Sequence, residues 1–345
     1  MRYTHTIKLR PLPRKILIIK PSSLGDIIHS LPFLQVMRDL FPAAELHWVI
    51  ARGLEAVIEQ HPMVDRVIII NKDSWKRPGN IRQTVTEISD LAHRLRKEAY
   101  DLVVDLQGLL RSSIIAATTG APVRVGFREA REGSVLFYTH RVEGGKELHA
   151  VDRCLRIASA LGGDMHEVKF PMPLVKASQA VKELKERFGE YAIIVPGARW
   201  PTKQWPAERF GTLAAMLDMP SILVGSAADM QASQNIAEGS RGKAVSCAGQ
   251  TEMKDLFSLL RDARVVISND SGPMHIAAAY GRPVVAIFGP TNPVRTGPYG
   301  TSNVVTRTAL RCAPCYKKKC GELKCMKDIA VEQVYDAVKQ VTSAP

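Results

Sequence analysis

The sequence predicts an α/β protein: two Rossmann-like, doubly wound parallel sheets in two domains that face each other across a cleft. Three observations carry this. Short β-branched or apolar runs alternate with amphipathic stretches along the whole chain, the order expected of parallel sheets wound by crossover helices. The runs are continuously apolar, as in strands covered on both faces. Two strand-to-helix junctions of similar character, 20–32 and 265–289, fall in separate halves, and ligands of such sheets gather at the carboxyl ends of strands.

Taken in order, the lead-in 1–13 is basic and proline-containing, which predicts a frayed start. Residues 15–20 form the first strand, and 24–40 read as one helix that Phe41-Pro42 stops. Further strands follow at 46–50, 66–70, 102–105 and 123–127, separated by amphipathic stretches such as 81–97. The pattern weakens over 126–151 and recovers as a helix at 150–161, and the glycines and prolines of 162–176 read as a connection. The second half opens with a helix at 178–188, a strand at 191–195 and the loop Pro196-Gly-Ala-Arg-Trp-Pro-Thr-Lys-Gln-Trp-Pro206. A helix at 207–217, a strand at 221–224, a helix through Ile236, a strand at 244–246 and a helix at 253–261 lead to strands at 265–267 and 284–288. The organisation is therefore a domain at 1–165, a linker at 166–177, a second domain at 178–328 and an amphipathic terminal helix within 329–345, expected to pack back on the first domain.

The chain of 345 residues is long enough for two cores, and its 46% hydrophobic content is ordinary for a soluble protein. No apolar run approaches the ~18 residues of a membrane span and no signal peptide is legible, so a cytoplasmic location is expected. The net charge of +13 favours anionic partners. The charge does not choose among them, but neither a basic sheet with interleaved aromatics nor a recognition helix is visible, so no nucleic-acid partner is expected. Four of the six cysteines crowd into Cys312-Ala-Pro-Cys315-Tyr-Lys-Lys-Lys-Cys320-Gly-Glu-Leu-Lys-Cys325. Four thiolates at that spacing suit a tetrahedral structural zinc, although the later gaps differ from paired zinc knuckles.

At the second junction, Asn269-Asp-Ser-Gly272 ends a strand and opens a helix, with Asp270 or Ser271 as N-cap and Pro273 in the first turn. Exposed amides there suit a phosphorylated ligand, or the residues simply cap the helix. At the first junction, Asp26 either completes a helix end or takes a proton from an attacking hydroxyl. Lys203 by itself reads as a solvated loop lysine beside Trp205-Pro206.

Lys-Pro-Ser-Ser-Leu-Gly-Asp-Ile-Ile-His-Ser-Leu-Pro at 20–32, Tyr-Asp-Leu-Val-Val-Asp-Leu-Gln-Gly-Leu at 100–109, His-Ala-Val-Asp-Arg at 149–153, Lys-Gln-Trp-Pro at 203–206 and Asn-Asp-Ser-Gly-Pro-Met-His-Ile-Ala-Ala-Ala at 269–279 resemble the lipopolysaccharide heptosyltransferases of glycosyltransferase family 9. The middle segments are most similar to members adding the first heptose to the inner core. The resemblance implies a GT-B fold, an ADP-heptose donor, a Kdo-lipid A acceptor, inversion at the anomeric carbon and no metal in catalysis. It makes Asp26 the general base and Lys203 the cation beside the donor diphosphate. Asp270, Ser271, Gly272, Met274 and His275 then line the donor site, Asp229 stands where the family holds the ribose, and Arg199 replaces a hydroxyl residue near the phosphates. Ser22, Ser23, Gly25, Lys72, Lys76, Arg77 and Arg131 fall to the acceptor. An enzyme of this kind works at the inner face of the cytoplasmic membrane. The cysteine cluster departs from first-heptose members and is similar to second-heptose members, which leaves open another acceptor. A same-fold nucleotide-sugar epimerase is a further alternative, and a basic nucleic-acid-binding protein with a cysteine metal site is the reading from another class.

Overall fold

A computed structural model describes residues 6–72 and 81–343. The chain divides into two compact units, Met1–Leu174 and Val175–Pro345. Each is built on its own six-stranded, all-parallel sheet.

In the first unit the strands are β1 (Lys15–Ile19), β2 (Glu45–Ala51), β3 (Arg66–Ile70), β4 (Leu102–Asp105), β5 (Val123–Phe127) and β6 (His140–Val142), in the order β3-β2-β1-β4-β5-β6. Ile16, Leu17, Ile18 and Ile19 are all fully buried, because helices cover both faces of a central parallel strand. The chain leaves β1 toward β2 on one side and returns to β4 on the other, so the order reverses between β1 and β4. That reversal opens a crevice at their carboxyl ends, flanked by 20–26 and 106–109.

The expected single helix at 24–40 is two helices, Leu24–Ile28 and Leu31–Leu40. Pro32 explains the break: it fits the first turn of the second helix, where no amide is needed, but its ring would strike the Ile28 carbonyl in a continuous helix. Ser30 Oγ donates to the Ile27 carbonyl at 2.7 Å and closes the first piece. In the weakly patterned stretch the chain forms β6, whose three residues pair with Val125, Gly126 and Phe127. Gly126 is required there, since a Cβ would lie 2.3 Å from the Tyr138 ring.

In the second unit the strands are β7 (Ala192–Val195), β8 (Ser221–Leu223), β9 (Ala244–Ser246), β10 (Val265–Asn269), β11 (Val284–Ile287) and β12 (Asn303–Thr306), in the order β12-β11-β10-β7-β8-β9. The same rule puts its crevice between β7 and β10. The edge strand β12 falls where the sequence showed no strand. The terminal helix Val331–Thr342 buries Val334, Ala337, Val338 and Val341 in the core of the second unit. Those four residues form one stripe at helical spacing, and the sheet's β10–β12 half supplies the apolar face they cover.

Candidate active site

In the second unit the crevice is framed by the loop after β7 and the turn after β10. Asn269, fully buried at the end of β10, ties them together. Its Nδ2 donates to the Pro196 carbonyl at 2.6 Å, and its Oδ1 accepts from the Trp205 amide at 3.1 Å. Trp205 is itself anchored, with its indole N–H on the Ile329 carbonyl at 3.0 Å and its ring edge-on to Phe210. The loop carrying Lys203 is thereby held at both ends.

Lys203 Nζ lies 2.7 Å from Asp270 Oδ2 and 4.7 Å from the centre of the Trp200 ring. Thr291 Oγ1 donates to the same Asp270 oxygen at 2.6 Å. Asp270 is only 7% exposed, so its charge is compensated by a specific partner rather than by solvent. Ser271 is the N-cap of the helix Gly272–Ala279, with Pro273 in the first turn. Its hydroxyl lies 3.1 Å from that of Ser268. The helix thus presents amides toward the crevice beside an ammonium group, an arrangement suited to an anion.

Next to this pair is a cavity of about 580 Å³, large enough for a nucleoside, lined by Arg199, Gln204, Asp229, Glu252, Met253 and Ser271 among others. Asp229 sits between Gly197 and Gly225. A Cβ at Gly197 would come within 2.5 Å of Asp229 Oδ1, which makes glycine necessary beside the carboxylate. Asp229 Oδ2 accepts from the Ser226 amide at 2.8 Å and its hydroxyl at 2.7 Å, so that oxygen completes a helix start while Oδ1 faces Gly197. Gln204, Glu252 and Met253 are cavity residues that sequence reasoning missed. The available signal was the Glu-Met-Lys-Asp start of an amphipathic helix at the next strand's carboxyl end. His275 and Met274 belong to the same helix but are 7% and 0% exposed, and the Met274 side chain serves the core.

In the first unit Ser22, Ser23, Gly25 and Asp26 occupy the turn after β1. Asp26 Oδ2 accepts from the Ser23 amide at 2.9 Å and its hydroxyl at 2.6 Å, a capping arrangement that fixes one oxygen. Around it lies a network the sequence did not reveal. Lys20, 7% exposed, donates from Nζ to the Leu106 carbonyl at 3.0 Å. The Ser22 amide lies 3.4 Å from Gln107 Oε1, and the Arg131 amide donates to the Gly108 carbonyl at 3.0 Å. The turn 106–108 therefore touches both the Asp26 loop and the Arg131 backbone.

That turn is held from beneath by Asp105, which is fully buried. The amides of Gln107 and Gly108 donate to Oδ1 at 2.8 and 3.1 Å, while the hydroxyls of Tyr138 and Ser112 donate to Oδ2 at 2.6 and 2.7 Å. Burial pushes the Asp105 carboxyl above the usual carboxylate range, against the pull of those bonds. Lys72 lies just beyond β3, at the same edge of the sheet. Lys76 and Arg77 lie outside the described residues.

The four clustered cysteines are all free thiols. Among the described residues no group of three or more His, Cys, Asp or Glu is arranged to hold a metal ion. No helix among them is long and apolar enough to cross a membrane.

The family model for glycosyltransferase family 9 (heptosyltransferase) matches residues 88–326. Lipopolysaccharide heptosyltransferase 1 of Pseudomonas aeruginosa is 32% identical over 322 residues, covering 89% of this chain and 87% of that one. The enzyme of the same description from Escherichia coli K12 is 29% identical, covering 85% and 93%. The solved structure of E. coli ADP-heptose lps heptosyltransferase II is 25% identical with a TM-score of 0.73, covering 95% of this chain and 98% of that one. With two parallel sheets that match the GT-B architecture and a match over most of its length, the chain belongs to glycosyltransferase family 9, the heptosyltransferases.

Proposed function

We propose that the protein transfers a heptose from ADP-heptose to Kdo-lipid A or a closely related anionic glycolipid, with inversion at the anomeric carbon. One observation carries the donor half: the Lys203–Asp270 pair at the head of the helix Gly272–Ala279, beside a nucleoside-sized cavity. In this reading the nucleoside occupies the cavity, with Asp229 toward the ribose and Arg199 toward the phosphates. The diphosphate meets Lys203 and the helix amides, and Asp270 meets sugar hydroxyls.

Asp26 is the base. Its carboxylate, oriented by the Ser23 amide and hydroxyl, accepts the proton of the acceptor hydroxyl. The acceptor oxygen forms its bond to the anomeric carbon as the bond to the diphosphate breaks, and ADP departs with the electron pair. Lys203 and the helix amides stabilise the charge that gathers on the departing oxygen, the task a divalent ion performs elsewhere. Catalysis in this reading uses no metal, and a structural zinc at the cysteine cluster is a separate matter. Arg131, Lys72, Lys76 and Arg77 are assigned to acceptor phosphates.

A lipid-linked acceptor places the enzyme at the inner face of the cytoplasmic membrane. The net charge of +13 supports attraction to an anionic surface, which weakens with salt. The similarity to a second-heptose structure supports one other reading, an acceptor that already carries a heptose.

The test incubates purified protein with ADP-heptose and each acceptor in parallel, follows ADP release and weighs the products. A heptose mass added to Kdo-lipid A is the expected result. Addition only to the heptosylated acceptor selects the other reading. ADP release without sugar transfer, or none with either acceptor, rejects the proposal.

A further inference from the structure

The loop between β12 and the terminal helix leaves the same carboxyl edge of the second sheet as Lys203 and Asp270, and it is fastened to the donor-site loops. The amides of Cys315 and Tyr316 both donate to the Pro290 carbonyl, at 3.0 and 2.8 Å. Thr202, 3% exposed and next to Lys203, donates its hydroxyl to the Lys317 carbonyl at 2.8 Å. Behind these, fully buried Met326 seats the far end of the loop in the core. The backbone on either side of Lys317 is thus placed by the elements that place the donor pair.

The consequence is a second ammonium group at the Trp200 ring. Lys318 Nζ lies 5.4 Å from the ring centre and Lys203 Nζ lies 4.7 Å from it. Lys203 is neutralised by Asp270 at 2.7 Å, whereas among the described residues no carboxylate forms an ion pair with Lys318. Among the described residues the Lys318 charge thus meets the Trp200 ring and no ion-pair partner. Neither lysine lines the nucleoside-sized cavity, although Gln204, the neighbour of Lys203, does.

We propose that Lys318 is a second cation for the donor diphosphate, carried into the site by the cysteine-rich loop and steadied on Trp200. This rests on the donor reading above. A sugar diphosphate carries two negative charges and gains a third as ADP leaves. One lysine already committed to a carboxylate balances that poorly, and a second, uncommitted ammonium supplies the difference. Its long stem lets it follow the leaving phosphate while the ring limits its excursions.

The test measures ADP and AMP binding by calorimetry at low salt to the full-length protein and to Lys318→Ala, Lys318→Arg and the neighbouring Lys319→Ala. Lys318→Ala is expected to weaken ADP about three- to tenfold, the range for a partly solvated charged contact to phosphate, and to leave AMP within about twofold. Arginine restores ADP binding, and Lys319→Ala changes neither ligand. Equal ADP affinity in wild type and Lys318→Ala overturns the proposal, and so does an equal loss of ADP and AMP, which marks a merely structural effect. Failure of the wild-type protein to bind ADP at all rejects instead the donor reading beneath it.

Discussion

Lys203 Nζ and Asp270 Oδ2 stand 2.7 Å apart, joining the loop after β7 to the turn after β10. A solvated loop lysine would make no such contact, and an N-cap aspartate would not need one. Because each side chain holds the other in place, their roles in turnover are coupled. Lys203→Ala is expected to lower kcat by about two orders of magnitude, the scale for removing one donor aimed at developing charge. Asp270→Asn alone is expected to lower it less, and the double variant to lose less than the product of the two. Steady-state ADP release on the four proteins measures this; strictly multiplicative losses would mean that the pair does not act as a unit.

Asp26 has two tasks that substitution can separate. It caps the helix Leu24–Ile28 through Ser23, and its carboxylate takes the proton in the proposed transfer. Asparagine keeps an acceptor for the cap but is not a base. Asp26→Asn is thus expected to melt within about 0.5 kcal/mol of wild type, whereas Asp26→Ala loses about 1 kcal/mol with the cap. Both are expected to bind ADP normally and to transfer no measurable heptose. Substantial turnover by the asparagine variant would remove Asp26 as the base.

The strands legible in the sequence were those whose burial on both faces demands unbroken apolar runs, such as 16–19 and 192–195. The edge strands β6 and β12 are short and half polar, so periodicity passed over them. The break at Ser30 was also hidden, since Pro32 at a helix start and Pro32 inside a helix look alike until the neighbouring turn is seen. The two crevices were legible because glycine, hydroxyl and acidic residues cluster where apolar runs end. Contacts distant in sequence were not: nothing local to Lys203 points to Asp270, and nothing near Lys318 points to Trp200. Glu252 and Gln204 were missed for a related reason, since a cavity wall is assembled from several crossovers at once.

Tyr138 illustrates how support can lie far along the chain from the residue it serves. Its hydroxyl donates to buried Asp105, whose other oxygen holds the amides of the turn contacting Lys20 and Ser22. Tyr138→Phe leaves that buried carboxylate one donor short, which costs about 1–3 kcal/mol. The loosened turn is expected to lower kcat as well, with ADP affinity unchanged because the nucleotide residues belong to the other unit. Thermal melts together with ADP titration check both halves, and a variant with wild-type melting and turnover would show that the network positions nothing.

The clustered thiols are expected to differ in reactivity. Backbone N–H groups of Leu323 and Glu322 hold the Cys320 thiol below its ordinary pKa, while burial and the neighbouring thiols push Cys325 up. Burial raises Cys247, and it raises Cys154 to about 11. The thiolate is the nucleophile, so a lowered pKa means a larger reactive fraction at a given pH. Limiting iodoacetamide at neutral pH is expected to label Cys320 ahead of Cys325, Cys247 and Cys154, and the buried thiols to gain on it as the pH rises. Mass mapping of labelled peptides reads the order. The same sample examines a zinc ion at the cluster, because a metal on Cys312, Cys315, Cys320 and Cys325 would protect all four until a chelator is added. Fast labelling of Cys320 that a chelator does not change would exclude zinc there, whereas chelator-dependent labelling would place a metal on the loop that carries Lys318.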